Sequence, residues 1–156
     1  MAGPETVVVD ASVAVKCFNE EQHSRSARQV RIDHIAGDVR IAAPSLIIWE
    51  VCNGLMYNPD FGVEAVRQVA EDLRDLALTL LEPDPALLAD GITLAFQRGM
   101  TVYDASDAGA AGFLGTFTYS ADEKAMRKTP KNLVRHISTC PEARESRSIG
   151  EQTLKP

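Results

Sequence analysis

Thr6-Val7-Val8-Val9-Asp10-Ala11-Ser12-Val13-Ala14-Val15-Lys16 is the stretch on which the fold turns. Its opening run is short, apolar and β-branched, the pattern of a strand buried on both faces. Asp10 ends that run, and Ala11 to Phe18 predicts a short helix that Asp10 or Ser12 can cap. A strand buried on both sides needs a helical layer above and below it, so further strand–helix units are expected along the chain.

The remaining sequence supplies them. Ser24 to Ala36 places Ala27, Val30 and Ile35 at helical spacing, with Gly37 as its stop. A brief strand at Arg40 to Ala42 leads to Pro44, expected in the first turn of a helix that carries Leu46, Ile47, Trp49, Glu50, Cys52 and Leu55. Gly62 to Leu76 predicts another amphipathic helix, Thr79 to Leu81 a strand, and Glu82-Pro83-Asp84-Pro85 a turn into a helix that ends near Gly99. After an extended step at Thr101-Val102, Ala105 to Leu114 is a helix of small residues. Thr116 to Tyr119 predicts a strand, Asp122 to Arg127 a short basic helix, and Leu133 to His136 a last strand. The expected fold class is α/β, with a central, mainly parallel sheet. The expected division is one domain over 1–137 and a flexible tail over 138–156.

Four acids fall where acids are costly. Asp10 closes the first apolar run, Glu50 sits between Trp49 and Val51, Asp104 follows Thr101-Val102-Tyr103, and Asp122 follows Phe117-Thr118-Tyr119-Ser120-Ala121. In a parallel sheet the carboxyl ends of the strands gather at one edge, so these groups are expected to converge. Two carboxylates ~5 Å apart repel by a few kcal/mol at an effective dielectric of ~20. Such a cluster must protonate, spread apart or hold a cation, and oxygen donors without imidazole or thiolate favour Mg²⁺ or Mn²⁺. Taken singly, Asp10, Asp104 and Asp122 each have a second reading as helix N-caps. A Glu in the middle of a helix caps nothing.

Composition narrows the classes of function. At 156 residues and 45% hydrophobic the chain fits one domain with a full core. A net charge of −6 argues against a protein that coats nucleic acid. Lys124, Arg127, Lys128, Lys131 and Arg135 nevertheless form an acid-free basic run, readable as a phosphate-binding stripe or as a solvated face. The cysteines, Cys17, Cys52 and Cys140, show neither a disulfide framework nor zinc-ligand spacing. His23, His34 and His136 lack metal-ligand spacing as well, and Lys16 reads as a surface residue. No apolar run is long enough to span a bilayer, and the N-terminal residues lack a signal-peptide pattern. A cytoplasmic location without membrane contact is therefore expected. Trp49 and Tyr103, each beside an acid, are expected to pack structurally rather than stack on bases.

Together the motifs around Asp10, the helix Glu50-Val51-Cys52-Asn53-Gly54-Leu55, Thr101-Val102-Tyr103-Asp104-Ala105-Ser106, and Ser120-Ala121-Asp122-Glu123-Lys124 resemble the PIN domain, and within it the VapC-type toxins. The resemblance covers about residues 5 to 136. It implies a three-layer α/β/α domain that binds Mg²⁺ or Mn²⁺ and hydrolyses RNA phosphodiester bonds as an endoribonuclease. By position, Asp10, Glu50, Asp104 and Asp122 are the implied metal-binding and catalytic acids. Ser12, Ser120 and Asn53 are the implied supporting polar groups, and Lys124, Arg127 and Lys128 are candidates for RNA contact. Asp107 stands where relatives carry an aromatic or aliphatic residue, and lies on the face of Asp104 as a further possible ligand. Relatives commonly form homodimers, and toxin members are silenced by an antitoxin whose basic side chain enters the acidic pocket.

Two other functions compete with the toxin: an RNA-processing nuclease of the same fold without an antitoxin, and an inert RNA-binding module. The module predicts a gap in the acidic quartet, and all four acids are present. A receiver or haloacid-type phosphoryl-transfer domain would need an acidic doublet or an Asp-x-Asp at Asp10, and the chain has neither.

Overall fold

The protein is described here by a computed structural model covering residues 2–141. Strand β1 (Glu5–Val9) leads into α1 (Ala11–Lys16) and α2 (Ser24–Ala36), and β2 (Val39–Pro44) into α3 (Ile47–Met56) and α4 (Val63–Asp75). Next come β3 (Thr79–Leu81), α5 (Pro85–Arg98), α6 (Val102–Leu114), β4 (Thr118–Ser120), α7 (Glu123–Lys128) and β5 (Val134–His136). The sheet runs β3-β2-β1-β4-β5, and each pairing is parallel. The α/β class and parallel sheet expected from the alternation are the observed ones.

Period-two alternation along the strands builds two cores. Val7 and Val9 of β1, Ile41 and Ala43 of β2, and Phe117 and Tyr119 point to one face. There they meet Val13 of α1, Val30 of α2, Ile47, Val51 and Leu55 of α3, and Val69 and Leu73 of α4. Val8 and Ala42 point the other way, to Leu87 of α5 and Ala110 and Ala111 of α6. β1 is buried on both faces, as its Val-Val-Val run requires. Among the described residues no helix is long and apolar enough to cross a membrane.

Three local expectations need correction. Pro44 is not in a helix: it is the last residue of β2, opposite Leu81, and α3 begins three residues later. A proline that ends a strand removes no interior ladder bond, and Ser45 N–H donates to the Leu81 carbonyl at 3.0 Å immediately beyond it. Thr101-Val102 is not an extended segment leading to Asp104. The Thr101 hydroxyl accepts the Asp104 N–H at 3.0 Å as an N-cap, so Val102 already starts α6. The helix after β1 stops at Lys16, short of Phe18.

At the other end, Ile137–Thr139 form a 3-10 turn, with Ile137 and Cys140 buried in the larger core. The expected boundary between 137 and 138 falls inside this turn, and 142–156 of the expected tail lie outside the described residues.

The close approach of α6 to α5 rests on glycine. A methyl group at Gly109 would lie 2.9 Å from Gly91 Cα and 3.0 Å from Gly91 N. Backbone cannot yield as a side-chain tip can. Gly109→Ala is therefore expected to destabilise by about 1 kcal/mol or more in urea unfolding, overriding its gain in helix propensity. Gly112→Ala, whose nearest neighbour is the Leu133 side chain at 3.9 Å, is expected to be neutral or stabilising.

Candidate active site

Parallel strands carry their carboxyl ends to one edge of the sheet, and the acids collect there. Asp10 follows β1 directly, and Asp122 follows β4 by two residues. Glu50 arrives from the first turn of α3, and Asp104 and Asp107 from the start of α6. These five carboxylates line one cleft of about 170 Å³, together with Ser12, Tyr103, Thr118 and Ser120. No lysine, arginine or histidine is among its lining residues. Among the described residues, none of the five forms an ion pair.

Hydrogen bonds fix the floor of the cleft. Asp10 Oδ1 accepts the Val13 N–H at 3.1 Å and the Ser12 hydroxyl at 2.5 Å. The same Ser12 oxygen accepts the Ala121 N–H at 2.8 Å, joining the segment after β1 to the segment after β4. Asp122 Oδ1 caps α7 by accepting the Ala125 N–H at 3.0 Å, and Ser120 Oγ accepts the Asp122 N–H at 3.1 Å. Asp10 and Asp122 are thus helix caps and cleft residues at once, since a carboxylate has more acceptor sites than a cap uses. The Thr118 hydroxyl donates to the Asp107 carbonyl at 3.0 Å and ties α6 to β4.

Burial and like charge act in the same direction here. Burial pushes the Asp10 carboxyl up, opposed by hydrogen bonds from Ser12, Ser120 and Val13 and reinforced by the charge of Asp122. Glu50 is raised by burial, then by Asp10 and Asp104. Asp107 is held well above the ordinary carboxylate range, first by burial and then by Asp10, Glu50 and Asp104. The cleft resists the negative charge of its own side chains. Among the described residues, no three His, Cys, Asp or Glu side chains stand close enough to enclose a metal ion. The carboxylates face a common space without closing on one point, and mutual repulsion favours that spacing.

Other expected site residues stand apart. Asn53 is exposed on α3, one turn beyond Glu50, and does not line the cleft. Lys124, Arg127 and Lys128 are exposed on α7, away from the lining. Arg127 lies 3.9 Å from Glu123, and Lys128 Nζ donates to the Gly99 carbonyl at 2.9 Å. Lys16, expected on the surface, has a largely buried side chain and pairs with Glu21 at 3.3 Å. Thr118 is a lining residue that the sequence reading missed, although it sits two residues from Ser120 and so shares its strand face. Tyr103 and Trp49 were expected to pack and instead are 70% and 77% exposed.

Residues 7–127 match the PIN domain family. The chain belongs to that family. PIN domains are nucleases. In structure the chain is similar to a toxin–antitoxin complex from Klebsiella pneumoniae, with TM-score 0.64, 12% identity, and 84% of this chain and 97% of that chain covered. It is similar to VapC20 of Mycobacterium tuberculosis, a sarcin-ricin loop cleaving toxin, with TM-score 0.61, 13% identity and 78% and 93% covered. PAE2754 from Pyrobaculum aerophilum gives TM-score 0.58 at 22% identity, with 86% and 91% covered. At these identities the likeness is one of fold. Among curated proteins, none matches the chain significantly.

The raised carboxyls give the PIN domain a testable pH dependence. A carboxyl whose folded pKa exceeds its unfolded one keeps its proton in the native state after the unfolded chain has lost it. Its stabilisation is present below the unfolded pKa and is lost as pH rises through the folded value. In chelator, the melting temperature is expected to fall by way of these groups as pH rises from the ordinary carboxylate range to neutrality. Asp107→Asn should flatten that fall and raise the neutral-pH Tm by about 4 °C per kcal/mol relieved. Thermal melts of both proteins across this range check it, and identical slopes would contradict the assignment.

Proposed function

We propose that this PIN domain is a divalent-metal-dependent endoribonuclease acting as the toxin of a type II toxin–antitoxin pair. The observation that carries the reading is a cleft lined by five carboxylates and by no cationic side chain. Oxygen donors of this kind suit Mg²⁺ or Mn²⁺ better than zinc. Asp10, Glu50, Asp104 and Asp122 would hold the ion, with Asp107 beside them. When bound, the ion polarises a phosphoryl oxygen and makes a coordinated water more acidic.

The chain's own residues position the reaction. Ser12 holds the Asp10 carboxylate through its hydroxyl and is held in turn by the Ala121 N–H, so Asp10 is oriented before any ligand arrives. Asp107 keeps its proton to a higher pH than an ordinary carboxyl, which lowers the net charge of the empty cleft. A phosphodiester approaching this edge meets repulsion from the acids, and the exposed cations of α7 oppose it. Lys124 is the α7 cation with neither an ion pair nor a side-chain hydrogen bond among the described residues.

RNA as substrate is supported by the likeness to a toxin that cleaves the sarcin-ricin loop. An antitoxin partner is supported by the likeness to a Klebsiella toxin–antitoxin complex. A lysine or arginine presented by such a partner would meet the same uncompensated charge that a metal would. A homodimer is the assembly expected from the resemblance.

The test is cleavage of a single-stranded RNA panel by the purified protein in Mn²⁺, Mg²⁺ or chelator. Cleavage is expected only with metal. Asp104→Asn, which removes a carboxylate but not the fold, should lower it by more than about 100-fold, the upper range for losing an outer-shell partner of a metal. Metal-independent cleavage, or full activity in the variant, would overturn the proposal.

A further inference from the structure

A second concavity opens beside the carboxylate cleft, and its chemistry is opposite. It is a groove of about 520 Å³ between the carboxyl ends of β2 and β3 and the start of α6, with Trp49, Tyr103, Leu81 and Leu88 among its walls. Its polar groups are few: Glu82 is the one charged side chain lining it, and Ser45 donates to Glu82 Oε2 at 3.2 Å. Tyr103 lines the groove and the acid cleft alike, so the two spaces adjoin across its ring.

Two aromatic rings in solvent need a reason. Trp49 is 77% exposed and Tyr103 70%, although each adjoins a cleft acid in sequence, Glu50 and Asp104. The helical geometry that turns Glu50 into the cleft sets Trp49 at its rim, and the same holds for Asp104 and Tyr103.

We infer that this groove seats a base of the RNA strand next to the scissile phosphate, with Trp49 and Tyr103 as its stacking surfaces. The inference rests on the nuclease reading and adds to it a determinant of how the strand is placed. A strand whose phosphate enters the acid cleft must put its neighbouring base within reach of Tyr103, the shared wall. A groove without lysine or arginine has no cation to pair with a phosphate, whereas a neutral base offers a π-face to the rings. Glu82, acceptor-only when ionised, favours bases that carry an exocyclic amine over uracil. Trp49 and Tyr103 are therefore positioning residues that touch substrate, outside the group of acids.

Trp49 is the chain's single tryptophan, so its fluorescence reports on the groove directly. The experiment titrates the full chain, in chelator, with short oligoribonucleotides of A, C or U and with an abasic ribose-phosphate oligomer of equal length. Saturable quenching by A and C, weaker quenching by U and none by the abasic oligomer are expected. Trp49→Ala and Tyr103→Ala, followed by anisotropy of labelled RNA, should each lose about tenfold in affinity, with Trp49→Phe recovering most of it. In metal-supported cleavage the loss should fall on KM more than on kcat. Equal quenching by the abasic oligomer, or unchanged affinity in both alanine variants while RNA is still bound and cut, overturns this inference and leaves the nuclease reading standing. If Trp49→Ala converts a dimer to a monomer without weakening RNA affinity per protomer, the groove belongs to a second copy and the inference fails. If the unmodified chain neither binds nor cuts RNA, the nuclease reading fails and the inference with it.

Discussion

Repulsion among carboxylates is the constraint around which this domain is arranged. Asp10, Glu50, Asp104, Asp107 and Asp122 line one cleft without a cationic lining residue, and burial raises Asp10, Glu50 and Asp107 further. Nothing in the stability of the fold recommends such a cluster. It is tolerated because buried apolar clusters on both faces of the sheet hold the acids' backbones in place.

The supporting framework is asymmetric. On one face of the sheet large aliphatic residues of α1, α3 and α4 form the major core. On the other, α6 offers Ala105, Ala108, Gly109, Ala110 and Ala111, and packs tightly against α5 and the sheet. Small residues there serve placement as well as packing: a bulkier α6 would stand farther from β1 and β4, and Asp104 and Asp107 would move away from Asp10. Ser12, in the first turn of α1, performs the matching task, holding Asp10 on one side and Ala121 on the other. These contacts fix the positions of Asp10, Asp104 and Asp107 on rigid elements.

Beside the cleft, charge gives way to aromatic and aliphatic surface at a single shared residue, Tyr103. A nucleic-acid strand has the same alternation, with charged phosphates linking apolar, π-faced bases. The two concavities together match one step of such a strand better than either does alone.

How far the sequence could be read depended on whether local chemistry or distant packing decided the matter. The β-branched run before Asp10, the glycine stops at Gly37 and Gly99, and the order of the acids were legible because side-chain stiffness, φ preference and strand-end placement are local rules. Thr101-Val102 misled, since β-branched residues suggest extension while the Thr101 hydroxyl serves equally as a cap. Pro44 misled in the same way, being as acceptable at a strand end as at a helix start. Asn53 follows Glu50 by one turn and shares its face, yet that turn carries it past the cleft. By itself the sequence determined the alternation of elements, the parallel sheet and the presence of acids in costly places. Only the tertiary structure decided which of those acids share a cleft, that Asp107 joins them, and that Trp49 and Tyr103 stay in solvent, because these depend on the separation and facing of helices set by contacts many residues apart.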